Sequence, residues 1–77
     1  AIKVCQHFKQ LVPEFFKEKE SPEQYIQAAY FKNNVLVVNV ENSGWAQEVI
    51  MRKTEIIKEM NSKIGSGVVK NLRTKLL

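Results

Sequence analysis

The residues of this chain that could do chemistry are few: one cysteine, Cys5, one histidine, His7, and eight acids, all of them glutamate. Nucleophilic or metal chemistry would need them grouped. Cys5 and His7 stand two apart, and on a helix such residues do not share a face. A metal needs further convergent ligands, and no second Cys or His exists. Cys5 is therefore expected as a small buried apolar residue. The glutamates lie mostly on outer helical positions, where a shifted carboxyl pKa is hard to arrange. No G-x-S-x-G turn occurs, nor a phosphate-cradling glycine loop with its lysine. These patterns assign no catalytic residue, no metal ligand and no cofactor-binding residue. They predict a protein that is not an enzyme, and a small sheet leaves little room for a substrate pocket.

Binding chemistry is better represented. Twelve Lys and Arg against eight acids give a formal net charge of +4. That balance suits phosphate backbones or acidic protein surfaces, and it equally serves solubility. The candidate binding residues are Tyr30, Lys32, Val37, Lys70, Arg73 and Lys75. An aromatic ring stacks on bases while cations track phosphates. The bland alternative is a solvated sheet face with scattered apolar residues, which is common. Other cations (Lys9, Lys17 and Lys19, then Arg52, Lys53, Lys58 and Lys63) alternate with glutamates and read as solvated helix faces. Trp45 opens a helix. It is expected to pin that helix to the sheet rather than to anchor a partner.

The elements that must position these residues follow from periodicity. Val4, Cys5, Phe8, Leu11, Val12, Phe15 and Phe16 recur at helical spacing, which predicts a helix over 2–20 with a kink or break near Leu11–Val12 caused by Pro13. Two strands are predicted over Tyr25–Lys32 and Val35–Glu41, joined by a tight turn at Asn33-Asn34. A two-residue turn places Lys32 opposite Val35, Phe31 opposite Leu36, Tyr30 opposite Val37 and Ala29 opposite Val38. One face then carries Ala29, Phe31, Leu36, Val38 and Val40. The other carries Ile26, Tyr30, Lys32, Val35, Val37, Asn39 and Glu41, with its tyrosine and two valines exposed. Asn42 or Ser43 caps the next helix. Ala46, Val49, Ile50, Ile56, Ile57, Met60 and Ile64 form its apolar stripe, and Gly65 suits a left-handed cap. Val68–Leu77 is the last strand, with Asn71, Arg73 and Lys75 on its outer side. The order is α-β-β-α-β: an α+β domain whose three-stranded sheet carries two helices on one face.

Length bounds the rest. Seventy-seven residues make one domain with one core. A single cysteine excludes a disulfide within the chain and fits a reducing, cytoplasmic setting. No apolar run approaches the ~20 residues of a membrane span. The chain begins at Ala1 rather than Met, as a trimmed fragment of a longer protein would.

The run VLVVNVENSGWAQEV (Val35–Val49), the helix ending EMNSKIG and the basic strand VVKNLRTKL together resemble the DciA family of bacterial proteins. The resemblance covers roughly Tyr25 to Leu77, with Trp45-Ala46-Gln47-Glu48 its most specific segment; the first helix matches in type alone. It implies a KH-like domain and a non-enzymatic role in DNA replication. Such proteins help place the DnaB-type replicative helicase on DNA, which implies contact with single-stranded or tailed DNA and a place at the nucleoid. Family members usually carry a further flexible segment. Two alternatives stand beside it: a stand-alone KH-like RNA- or DNA-binding module, and a protein-interaction domain like the N-terminal domain of DnaA. Against the first, KH domains clamp RNA with a Gly-x-x-Gly loop between two helices, whereas Gly65-Ser66-Gly67 is a G-x-G between helix and strand.

Overall fold

The computed structural model describes residues 2–77 and shows the expected N-terminal helix, α1 (Ile2–Phe15). Val4, Phe8, Leu11 and Val12 turn one stripe of it into the core. Pro13 does not break it near Leu11–Val12. It sits in the last turn, where few helical bonds remain to be lost, and the helix ends two residues later. Phe16 still donates its backbone N–H to the Val12 carbonyl (3.2 Å) and is itself buried. The chain then turns through Ser21, at φ 48°, into a short 3-10 turn, Pro22–Gln24.

Strands β1 (Ile26–Lys32) and β2 (Val35–Val40) form the hairpin. Asn33 and Asn34 both take positive φ, 52° and 64°, as a two-residue turn of this hand demands. The expected pairs Lys32–Val35, Phe31–Leu36 and Tyr30–Val37 are all present. Beyond them the register slips. Ala28, not Ala29, faces Val38, and Ala29 is bulged out and exposed. A bulge adds one residue and so inverts the alternation beyond it. Ile26 and Ala28 therefore join the helix-facing side, and Ile26 is buried rather than on the outer face.

The predicted long helix is two helices, α2 (Ser43–Met51) and α3 (Lys53–Ile64), so the order is α-β-β-α-α-β. Asn42 caps α2, its side-chain oxygen accepting from Trp45 N–H at 3.0 Å. One straight helix from Ser43 to Ile64 would run roughly 33 Å at 1.5 Å per residue. The longest dimension of the molecule is 29 Å. The break at Arg52 keeps both halves on the core, with Val49, Ile56 and Met60 buried, while Ile50 is turned out to solvent. Gly65 ends α3 at φ 134°, ψ 140°, a positive-φ conformation outside the left-handed helical region. A Cβ there would also crowd Val68, at 3.1 Å.

Strand β3 (Asn71–Leu76) pairs parallel to β2, giving the order β1-β2-β3. The central strand is the most apolar, with Leu36, Val38 and Val40 fully buried. All three helices contribute to the core that these residues form with Ile26, Val69 and Leu72. The result is an α+β fold with its helices on one face of a mixed sheet.

Candidate nucleic-acid interface

The two registers together define the uncovered face of the sheet. Tyr30 lies opposite Val37, which lies opposite Arg73, one row across three strands. Lys32, Val35 and Asn71 make the next row, toward the hairpin turn, and Asn39 pairs with Lys75 on the other side. Neighbouring strands stand about 4.8 Å apart and alternate residues on one strand about 7 Å apart. Tyr30, Lys32, Val37, Arg73 and Lys75 thus share one surface. Lys70 precedes β3, is out of phase with Arg73 and Lys75, and flanks the surface rather than belonging to it.

Exposure differs among the six. Tyr30 is 52 % exposed, and the four cations are all exposed. Val37 is only 9 % exposed, contrary to the sequence expectation. It occupies the central strand, paired with Tyr30 on one side and Arg73 on the other. Among the described residues, the ion pairs engage Lys19, Arg52 and Lys63, and none involves Lys32, Lys70, Arg73 or Lys75. Glu41, just past β2, is the acid in phase with this face.

Asparagines set the position of the basic strand. The Asn61 side chain donates to the Val69 carbonyl (2.9 Å) and accepts from the Val69 N–H (2.8 Å), as a strand neighbour would. Asn34, in the hairpin turn, donates its side-chain N–H to the Val68 carbonyl (3.0 Å), and its backbone carbonyl accepts from Lys70 and Asn71. Asn71 folds its own side chain back onto the Leu72 N–H (2.8 Å). These bonds hold the entry to β3 between α3 and the hairpin. They were not read from the sequence, where a turn asparagine and a helix asparagine look generic.

Trp45 is half-buried and packs against the core. Tyr25 stacks on it (5.2 Å, 10°), and Phe16 meets it edge to face (5.9 Å, 64°). Lys19 lies over the indole and Arg52 over the Phe16 ring, 4.7 Å from its centroid. Arg52 bonds Glu48 at 2.5 Å and also pairs with Glu18, and Lys19 reaches Glu48 at 3.4 Å. The Arg52 hydrogen bond holds the Glu48 carboxyl below its ordinary pKa of 4.5, with the Lys19 charge adding to it. This clasp joins the end of α1 to α2 and to the start of β1. It is a packing joint.

Among the described residues no group of His, Cys and Glu could hold a metal ion, and no helix is long and apolar enough to cross a membrane. Compared with known proteins, the chain matches a family model described as "Dna[CI] antecedent, DciA" over residues 2–74. The match takes in α1, which the residues alone tied to that pattern only loosely. No curated protein matches the chain significantly.

Proposed function

The chain belongs to the DciA family, and from that premise we propose a non-enzymatic adaptor that assists loading of the DnaB-type replicative helicase onto DNA and itself touches the DNA. Membership carries the general loader-type role. The DNA contact is the finer reading. It rests chiefly on the row Tyr30–Val37–Arg73, with Lys32 and Lys75 beside it, on a face that no helix covers. An exposed ring among unpaired cations suits single-stranded or tailed DNA, because bases must be unstacked to meet a tyrosine. We read residues 1–77 as one KH-like unit of this adaptor, working at the nucleoid in the cytoplasm.

RNA clamping in the KH manner is disfavoured by one observation. The α2–α3 junction is Met51-Arg52-Lys53, without glycine, and Arg52 is spent on Glu48 and Glu18.

The test is binding of tailed DNA as a function of salt, read by fluorescence anisotropy. Phosphate contacts should give a falling log–log slope of about −0.7 per contact for a single strand. The pair Arg73→Glu and Lys75→Glu should weaken binding about tenfold or more and flatten that slope by about 1.4. Unchanged affinity removes β3 from the interface. Helicase contact is tested separately, by co-purification with the cognate helicase, and absence of a complex sinks the adaptor reading.

A further inference from the structure

We propose that the groove between α1 and the free edge of β1 binds an extended acidic peptide from a partner protein, which adds to the sheet as a fourth strand. This site is the α1 side of the free β1 edge; it meets the outer-face row at Tyr30, which also borders the groove, and its test does not depend on the DNA reading.

Three observations carry it. β1 is an edge strand of seven residues, paired only with β2 among the described residues. α1 stands off from it and leaves an open groove of about 760 Å³, lined by Cys5, Gln6 and Lys9 on one wall and Ile26, Ala28 and Phe31 on the other. The register then fixes which backbone groups are free. The two-residue turn makes Lys32–Val35 a hydrogen-bonded pair, so the N–H and C=O of Phe31 point to the open edge. Below the bulge, the bond from Glu41 N–H to the Tyr25 carbonyl sets the phase, which turns the groups of Ile26 and Ala28 outward. Alternating donors and acceptors beside apolar side chains are what an added strand needs. A phosphate backbone has no donors to offer the outward carbonyls.

Charge selects the kind of peptide. No acid occurs between Ala1 and Pro13, nor between Gln24 and Val40. Those stretches, which contain α1 as far as Pro13 and the whole hairpin, carry Lys3, Lys9 and Lys32, and none of the three is in an ion pair among the described residues; Glu14, in the last turn of α1, is the one acid of that helix. Glu23 is the one acid on the lining, beside the 3-10 turn. The field along the groove therefore favours a segment whose alternate side chains are acidic. The bulge at Ala29 interrupts regular pairing, so the added strand is short and the affinity modest.

The experiment is an amide-resolved NMR titration with a short peptide alternating glutamate and valine, and with its lysine–valine counterpart. Saturable shifts at Ile26, Ala28, Phe31 and Lys9, with the lysine peptide weaker by about tenfold, are the expected result. Ala28→Pro removes one outward N–H and leaves the β2 ladder intact, and proline is tolerated at a strand edge. It should abolish the shifts at its neighbours. If that variant unfolds, Lys9→Glu, at an exposed helical position, carries the test with an expected loss of about fivefold. Equal binding of both peptides, wild-type binding by folded Ala28→Pro, or no saturable shifts along β1 overturns the proposal. So does a single-stranded oligonucleotide giving the same edge shifts, or edge shifts that grow with protein concentration alone, which would assign the edge to nucleic acid or to a second copy.

Discussion

At the scale of single residues, the most consequential side chain is one that touches no ligand. Asn61 satisfies both backbone groups of Val69, a residue 1 % exposed. Replacement by alanine leaves a part-buried donor and acceptor without partners, and each such orphan costs about 1–3 kcal/mol. Asn61→Ala is therefore expected to lower unfolding stability by about 2 kcal/mol or more in denaturant titration. Asn61→Asp, which can still accept from Val69 N–H, should lose less. If Asn61→Ala is neutral, the amide is not what seats β3. Glu48 makes a second, pH-dependent case. Its carboxyl is held below 4.5 by Arg52, so the folded state favours the ionised form. The unfolded chain takes up the proton first as pH falls, and the stabilisation is lost as pH drops below the ordinary carboxylate range. Wild type should exceed Glu48→Gln in thermal stability at neutral pH, with the gap closing below pH 4.5 and shrinking in high salt. A gap that stays constant with pH would mean the charge is not responsible. Trp45 was legible as a packing residue from its place at a helix start. Val37 was misread, because alternation tells which face a side chain is on but not how far its neighbours cover it.

Among the elements, what could be read is what local chemistry dictates. Asn33-Asn34 is a turn signal with a mechanism, and it set three pairs of the hairpin correctly. Asn42 was readable as a cap for the same reason. The misses have non-local causes. Ala28 and Ala29 are identical side chains, so no pattern distinguishes the bulged residue from the paired one. The bulge is set by Ile26 and Phe31 both reaching the core from one strand. Nothing near Arg52 breaks a helix by propensity, since there is neither proline nor glycine. There the size of the sheet decides, together with the ion pairs and the Phe16 ring that hold the guanidinium at the corner. Pro13 errs in the opposite direction. A strong local breaker was overridden because Leu11, Val12 and Phe16, on both sides of it, are all buried in one core. The candidate site inherits this division. Tyr30 and Val37 were placed together from the turn alone, but Arg73 joined their row only through a parallel pairing whose register no local signal reveals.

For the molecule as a whole, the helix-covered face of the sheet carries the core, and the proposed DNA contact lies on the other face. A domain of 77 residues has about 4–12 kcal/mol of stability at the usual 0.05–0.15 kcal/mol per residue. Phe8 is fully buried in the core. Its truncation to alanine costs about 3–5 kcal/mol, a large part of that total. Phe8→Ala is therefore expected to be largely unfolded near physiological temperature, and to lose DNA and peptide binding together. Tyr30, on the uncovered face, has little core to lose. Tyr30→Ala should change stability by about 0.5 kcal/mol or less, while removal of one stacking platform should weaken single-strand binding by about 1–3 kcal/mol, or roughly 5- to 150-fold. Peptide binding in the α1–β1 groove should be weakened less than DNA binding: Tyr30 borders the groove, but the free edge is built from backbone groups of Ile26, Ala28 and Phe31. Denaturant unfolding, anisotropy with a tailed oligonucleotide and the peptide titration measure the three quantities separately. If Tyr30→Ala unfolds the domain, the face is structural. If it leaves DNA affinity intact, the cations alone make the contact and the preference for single strands goes with the ring.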